Sequence, residues 1–346
     1  MDGNIKKRIT VLGAGTWGST LAGLLADKSF PVRLWDVSGE VMDTLLETRT
    51  PPKLPHLRLP EGVELTRQLE EAVGNAELLV IVTPSHAVRN LCMRLSEIKS
   101  SLPQNVDYVL CSKGLEQKTL MTLNQVMEDV LGPEVHDRIC CLSGPSHAEE
   151  VSKKMPTSIT ASSFNHDLAV EVQKIFHTHF FRVYTHKDVL GVELGGSVKN
   201  VIAIAAGICD GLGFRDNTKA ALITRGLAEI IRLGEAMGAS RETFSGLAGI
   251  GDLIVTAMSK HSRNRNFGEL LAKDITVQEA MDQIGMVVEG VRTADSVKSL
   301  AEKYDVQMPI SMEIYRLIYE EKDPKEAVKD LMGRSPKPEI YGPHEF

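Results

Sequence analysis

The segment Ile9-Thr-Val-Leu-Gly13-Ala-Gly15-Thr-Trp17-Gly18-Ser-Thr-Leu-Ala22 constrains the fold more than any other part of the chain. A short apolar run leads into a glycine-rich turn that opens an apolar helix. Gly13, Gly15 and Gly18 have the GxGxxG spacing. The first glycine permits a tight turn, the second lets backbone approach a pyrophosphate, and the third lets the helix pack on the sheet. Free N–H groups and the positive dipole end at the helix start favour an anion. The spacing alone is weak evidence. The strand before it, the helix after it and Asp36, 18 residues past Gly18, supply the context of a dinucleotide site.

The first half of the chain continues this alternation. Strand patterns lie at Arg8–Leu12, Val32–Trp35, Leu78–Val82, Tyr108–Cys111, Ile139–Leu142, Ser158–Ala161 and Phe181–Tyr184. Helical patterns between them include Trp17–Asp27, Ser38–Leu46, Ser85–Glu97 and Leu120–Val130, which implies βαβ units and a parallel sheet. Thr50–His56 is proline-rich and reads as a surface loop. Beyond about residue 188 only helical patterns remain. Leu190–Cys209 is apolar on nearly every face and reads as a buried helix; Ala220–Met237, Glu289–Tyr304 and Met312–Tyr319 follow. The expected architecture is an α/β Rossmann-type doubly wound sheet over 1–188, an all-α domain over 189–335 and a tail over 336–346.

Several classes are disfavoured. A net charge of −7 without a basic block argues against a nucleic-acid or acidic-membrane partner. The N-terminus has charges but no apolar core of a secretory signal, and Leu78–Val82 and Val201–Cys209 are short for a membrane span. Cys92, Cys111, Cys140, Cys141 and Cys209 are odd in number and mostly in apolar contexts, which reads as reduced thiols in the cytoplasm. His177 and His179 have no third ligand nearby in sequence, so no metal is expected.

In a doubly wound sheet the ligand lies beyond the carboxyl ends of the strands. Thr83-Pro84-Ser85-His86, Ser112-Lys113-Gly114 and Ser143-Gly144-Pro145-Ser146-His147-Ala148 occupy such ends. Their small residues let a flat cofactor lie against backbone, and Lys113 adds a cation. Lys199 sits inside the most apolar helix, beside Asn200. A buried ammonium is costly unless paired, and desolvation lowers its pKa toward that of a neutral-pH base. A lysine whose head reaches solvent is an equal reading on residues alone. Asp252, on the glycine turn before Thr256, is placed either to hold Lys199 by a charge-assisted bond or to cap a helix. Ser262 and Arg263, ahead of a helix at Phe267–Lys273, suit a phosphate: helix N–H groups and a guanidinium converge on the anion.

Together these blocks resemble the NAD(P)-dependent glycerol-3-phosphate dehydrogenases. The resemblance runs through GAGTWG at 13–18, VTPS at 82–85, SKGLE at 112–116, LSGPSHAEE at 142–150 and GVELGGSVKNVIAIAAGICDGLG at 191–213. It continues in GLAGIGDLIVT at 246–256, SRNR at 262–265 and VVEG at 287–290. It implies hydride transfer between NAD, or NADP, and the pair dihydroxyacetone phosphate and sn-glycerol 3-phosphate, in a cytoplasmic homodimer that feeds glycerophospholipid synthesis. It further implies Lys199 as proton acceptor, with Lys113, Asn200, Asp252 and Thr256 around it. Gly144, Ser146, Ser262, Arg263 and Asn264 would hold substrate, together with Lys113, Lys199 and Asp252. Thr16, Trp17, Pro84, Lys113, Ala148, Arg263, Val287 and Glu289 would contact the cofactor, with Gly13, Gly15, Gly18 and Asp36.

Asp36 ends the second strand, where a carboxylate binds the ribose 2′-OH of NAD and repels the 2′-phosphate of NADP. The aspartate departs from the neutral or basic residue common near this turn in bacterial members, and an NAD preference is expected. Two rival readings are a dehydrogenase acting on a β-hydroxy acid or sugar acid, and a catalytically silent NAD-binding sensor. The first has no need of the Ser262–Arg263 grip; the second would show a broken lysine helix.

Overall fold

In the computed structural model residues 6–273, 275–336 and 338–339 are described; of the expected tail only Pro336, Pro338 and Glu339 are among them. The chain forms two compact units. One comprises Met1–Ser112, Leu123–Leu142 and Ser146–Val189; the other comprises Lys113–Thr122, Ser143–Pro145 and Leu190–Phe346.

The first unit is an α/β Rossmann-type fold. Its strands are β1 (Ile9–Leu12), β2 (Val32–Trp35), β3 (Val63–Thr66), β4 (Leu78–Ile81), β5 (Asp107–Leu110), β6 (Ile139–Ser143), β7 (Thr157–Ser162) and β8 (Phe181–His186). They form one sheet in the order β3-β2-β1-β4-β5-β6-β7-β8. Pairs β1–β2, β1–β4, β2–β3, β4–β5, β5–β6 and β7–β8 are parallel, with Ile9 level with both Val32 and Leu78. Parallel neighbours need crossovers. Helices α1 (Thr16–Asp27), α2 (Gly39–Thr48), α3 (Leu69–Val73), α4 (Val88–Glu97), α5 (Leu123–Leu131), α6 (Ala148–Val151) and α7 (His166–Phe176) lie between the strands in sequence. The sheet is covered on both faces, so β1 and β4 are buried at every residue. Val11, Leu21, Leu34, Val80, Phe176 and Phe181 belong to one core. The order reverses between β1 and β4, which makes the carboxyl end of β1 the switch point.

Strand β3 has no clear sequence pattern. Only Val63 and Thr66 of its four residues are buried, and it pairs with β2 alone at the sheet edge. The proline-rich loop lies at the surface as expected, with Pro52, Lys53, Pro55 and His56 exposed, while Pro51 and Leu54 anchor it by burial.

The second unit is helical: α8 (Val189–Gly211), α9 (Asp216–Met237), α10 (Asp252–Met258), α11 (Arg263–Leu271), α12 (Val277–Ile284), α13 (Glu289–Lys303), α14 (Pro309–Tyr319) and α15 (Pro324–Met332). Helix α8 has the length and apolarity of a membrane span, but 94% of its most apolar window is buried. Its Val198, Val201, Ile202 and Ile204 join Phe244, Phe267 and Leu300 in the second core. An all-round apolar helix is what the centre of a bundle requires. Helix α12 starts with a capping box between Thr276 and Glu279 and packs Val277, Ala280, Met281 and Ile284, one face of the helix, on the second core.

Candidate functional site

The glycine-rich loop leaves β1 at its carboxyl end. Gly13 has φ +118°, and a Cβ there would stand 2.8 Å from the Val82 carbonyl oxygen, so only glycine fits without strain. At Gly15 a Cβ would meet nothing within 4 Å: the space over this exposed residue is open. Gly15 also caps α1 with no side-chain bond, and no acidic residue sits in the first turn. Those helix N–H groups therefore face open space, as a bound pyrophosphate requires. Thr16 and Trp17 form the first turn, and the Trp17 ring lies 6.3 Å from that of Phe181. Pro84 precedes a 3-10 turn at Ser85–Ala87, and Ala148 opens α6 three residues after Pro145. The residues fit a dinucleotide.

Asp36 binds backbone on two sides. Its Oδ2 accepts the Ala14 N–H at 2.6 Å and its Oδ1 accepts the Ser38 N–H at 2.8 Å. The carboxylate thus ties the glycine-rich loop to the end of β2. Each oxygen keeps a lone pair for a further donor.

In the second unit Lys199 is buried, with 5% exposure, on α8. Its Nζ donates to Asp252 Oδ1 and, at 2.7 Å, to Thr256 Oγ1. Lys113 Nζ donates to Asp252 Oδ2 at 2.7 Å and to the Gly144 carbonyl at 2.9 Å. One carboxylate thereby receives two ammoniums. Asp252 begins α10, but the N-cap is Gly251, and the aspartate side chain is spent on the lysines. The simple cap reading of Asp252 is therefore replaced by the pairing one. The solvent-reaching reading of Lys199 gives way in the same manner.

The electrostatics follow from burial. Desolvation pulls Lys199 down to about 7; Asp252 opposes the fall, and Lys113 adds to it. Burial raises the Asp252 carboxyl, but the two ammoniums outweigh burial and hold it below the ordinary carboxylate range. An amine titrating near neutrality can both take and give a proton at working pH.

Two features the sequence reading did not single out assemble this cluster. Gly195 and Gly196 sit one turn before Lys199. A Cβ on Gly195 would stand 2.5 Å from the Ala248 oxygen; one on Gly196 would stand 2.8 Å from Ser143 Oγ and 3.6 Å from Lys113 Cδ. The glycine pair lets the Lys113 segment, the Ser143 turn and the approach to α10 close onto α8. The approach is a π-helical turn, Leu247–Gly251, immediately before Asp252. A glycine pair inside an apolar helix was the available signal.

Helix α11 starts at Arg263, with Ser262 as N-cap accepting from the Arg265 N–H at 3.2 Å. The exposed Arg263 donates to the Val287 carbonyl at 2.9 Å. Asn264 donates to Asn200 Oδ1 at 3.0 Å and accepts the N–H of Gly290, next to Glu289, at 2.8 Å. The structure thus gathers Lys113, Gly144, Lys199, Asn200, Asp252, Thr256, Ser262, Arg263, Asn264, Val287 and Glu289 in the second unit. Gly13, Gly15, Thr16, Trp17, Gly18, Asp36, Pro84, Ser146 and Ala148 are in the first. Among the described residues no group of histidine, cysteine and carboxylate side chains could hold a metal.

Residues 8–169 match the family model for the N-terminus of NAD-dependent glycerol-3-phosphate dehydrogenase, and residues 188–329 match the model for its C-terminus. The glycerol-3-phosphate dehydrogenase [NAD(P)+] of Geobacter metallireducens is 48% identical over 334 residues, covering 96% of this chain and 99% of that one. That of Lysinibacillus sphaericus is 48% identical over 335 residues, covering 96% and 98%. Among solved structures, a glycerol-3-phosphate dehydrogenase from Coxiella burnetii superimposes with TM-score 0.90 at 37% identity, over 95% of this chain and 100% of that one. A ketopantoate reductase family protein from Ralstonia eutropha has TM-score 0.60 at 13% identity, over 93% and 99%, and shares the fold alone.

Proposed function

The chain belongs to the NAD-dependent glycerol-3-phosphate dehydrogenase family, and on that premise we propose that it interconverts dihydroxyacetone phosphate and sn-glycerol 3-phosphate with Lys199 as general acid and base. It is an NAD(P)-dependent oxidoreductase. The observation that carries the mechanism is the buried Lys199–Asp252–Lys113 cluster, whose lysine titrates near neutrality.

A nicotinamide dinucleotide held at the Gly13–Gly18 loop and the start of α1 would provide the hydride chemistry when bound. The protein's own residues handle the proton and the phosphate. In reduction, the Lys199 ammonium gives its proton to the carbonyl oxygen as the carbon gains hydride, and the product is an alcohol. In oxidation, the neutral amine takes the hydroxyl proton. Asp252 keeps the Lys199 amine in place and stabilises its charged form. Lys113, held by Asp252 and the Gly144 carbonyl, adds positive charge near the reacting oxygen as the C–O bond polarises. The α11 N-terminus and Arg263 take the phosphate, and that remote binding energy orients the reacting carbon. Asp36 reads the ribose 2′-OH and sets a preference for NAD over NADP. The enzyme works as a cytoplasmic homodimer and supplies glycerol 3-phosphate for glycerophospholipids.

The test is initial rates of NADH and NADPH oxidation with dihydroxyacetone phosphate, in parallel, at one low cofactor concentration. Fast oxidation with NADH favoured is expected. Equal or better rates with NADPH would discard the Asp36 argument, and no oxidation with either would overturn the assignment.

A further inference from the structure

Lys113 presents its charge at the end of a flexible stem. Its Nζ meets Asp252 Oδ2 at 2.7 Å and the Gly144 carbonyl at 2.9 Å. A lysine side chain carries about 2 kcal/mol of rotamer entropy, so these contacts hold the ammonium only where the backbone beneath it is fixed. That backbone is the segment Lys113–Thr122, which belongs to the helical unit. The segment folds back on itself. Leu115 bridges Thr122 in antiparallel fashion, and the Glu116 N–H donates to the Met121 carbonyl at 3.0 Å. A lone hairpin is marginal in water and needs anchors outside itself.

Two anchors are present. Leu115, 3% exposed, joins the second core. Gln117, half-buried, lies against two charged residues three apart on α13. Its Nε2 donates to Asp295 Oδ2 at 3.0 Å, and its Oε1 accepts from Arg292 Nη1 at 3.3 Å. An arginine only donates and a carboxylate only accepts, so the amide has one orientation. Both bonds are charge-assisted. The same helix begins at Glu289, two residues past the Val287 carbonyl that holds Arg263.

We propose that the Arg292–Gln117–Asp295 clasp on α13 fixes the backbone beneath Lys113 and so sets where its ammonium stands, with Gln117 as a positioning residue. The proposal rests on the reaction assigned above, in which Lys113 supports proton transfer by Lys199. The charged groups that act on Lys199 are Asp252, from α10, and Lys113, from the hairpin. Asp252 holds the Lys199 titration up and Lys113 pulls it down. A hairpin released from α13 draws Lys113 away from Asp252. Lys199 then has the carboxylate to itself and titrates higher. A residue that only supports the fold would not move that titration.

The test is the pH–rate profile of dihydroxyacetone phosphate reduction with NADH saturating; circular dichroism and urea unfolding report the fold. Gln117→Ala removes both bonds. Its kcat should fall at least about fivefold, and the limb assigned to Lys199 should move alkaline by about half a pH unit or more. Arg292→Ala, at an exposed position, loosens the clasp from the helix side and should move the limb the same way by less. Lys113→Met should also raise the limb. In that background Gln117→Ala should cost no more than about twofold, because its target is gone. Gln117→Glu sets a carboxylate against Asp295 and should behave as Gln117→Ala does. Adding Asp295→Asn puts a donor back opposite an acceptor at the native net charge, and should return the limb and most of kcat. Should Lys113→Met leave no measurable rate, this exchanged pair decides. A limb at its native position in both Gln117→Ala and Arg292→Ala would overturn the proposal. So would a Gln117→Ala loss undiminished without Lys113, or an exchanged pair no better than Gln117→Glu. A wild-type protein inert toward dihydroxyacetone phosphate would instead remove the assigned reaction, which separates the two failures.

Discussion

Replacing Asp252 by asparagine keeps the shape of the side chain and removes the charge that two lysines share. The carboxylate is 1% exposed and receives Lys113 at 2.7 Å as well as Lys199. In the native protein burial has drawn Lys199 down to about 7 while Asp252 holds it up, so about half of the amine is protonated at pH 7. A unit charge pair at about 4 Å in an effective dielectric near 20 is worth ~4 kcal/mol. A hydrogen bond to the asparagine oxygen retains part of this, leaving a net loss of about 3 kcal/mol. At about 1.4 kcal/mol per pH unit, Lys199 in Asp252→Asn should titrate roughly two units lower. Only about 1% of the amine is then protonated at pH 7, and ketone reduction there should fall up to about 50-fold. The assay is the pH–rate profile of dihydroxyacetone phosphate reduction at saturating NADH. The limb assigned to Lys199 should move from near neutrality toward pH 5, and part of the lost rate should return on acidification. A limb that stays in place in the variant would refute the coupling of Asp252 to the catalytic proton.

Other perturbations separate the remaining roles. Asp36→Ser with Val37→Arg should raise the NADPH/NADH ratio of kcat/KM at least about tenfold, in line with a 2′-phosphate contact worth ~1.5 kcal/mol. Because Ala14 and Ser38 lose their acceptor, KM for both cofactors should also rise; an unchanged ratio would dismiss Asp36 as the reader. Arg263→Ala should cost about 1.5–3 kcal/mol in kcat/KM for the phosphorylated ketone and little for glyceraldehyde. Equal losses on the two substrates would favour a carboxylate-bearing substrate instead. Gly18→Ala places a Cβ 1.8 Å from the Gly13 carbonyl oxygen, and backbone there must shift. Urea unfolding should show a loss of about 1–3 kcal/mol together with weaker NADH binding; native stability and binding would show that the loop tolerates the shift.

The sheet was legible where strands are buried on both faces. β1 and β4 are short, mostly apolar runs, the first followed directly by Gly13 and the second by Val82-Thr83-Pro84, and their ends fell within a residue of the pattern. β3 was not legible, because a four-residue edge strand with two buried side chains carries no period long enough to separate it from a loop. In the helical unit, α8 announced itself by apolarity and Lys199 by its contrast with that background. Helix α11 starts four residues ahead of the expected Phe267 because its first turn is polar. The partners of Lys199 lie 53 and 57 residues away, in a turn whose glycines fit equally a plain cap. Sequence spacing cannot close such distances. What closes them is the glycine pair at 195–196, which lets three segments meet one helix face.

The most direct measurement on the account as a whole is the turnover of Lys199→Met with dihydroxyacetone phosphate and NADH across pH. Methionine keeps an unbranched apolar stem in the buried site, and Asp252 retains Lys113 as its counter-ion. Turnover should fall at least about 100-fold, as expected for loss of a general acid, while NADH binding persists and the limb near neutrality disappears. Turnover within a few-fold of the native protein, with that limb still present, would contradict proton transfer by Lys199.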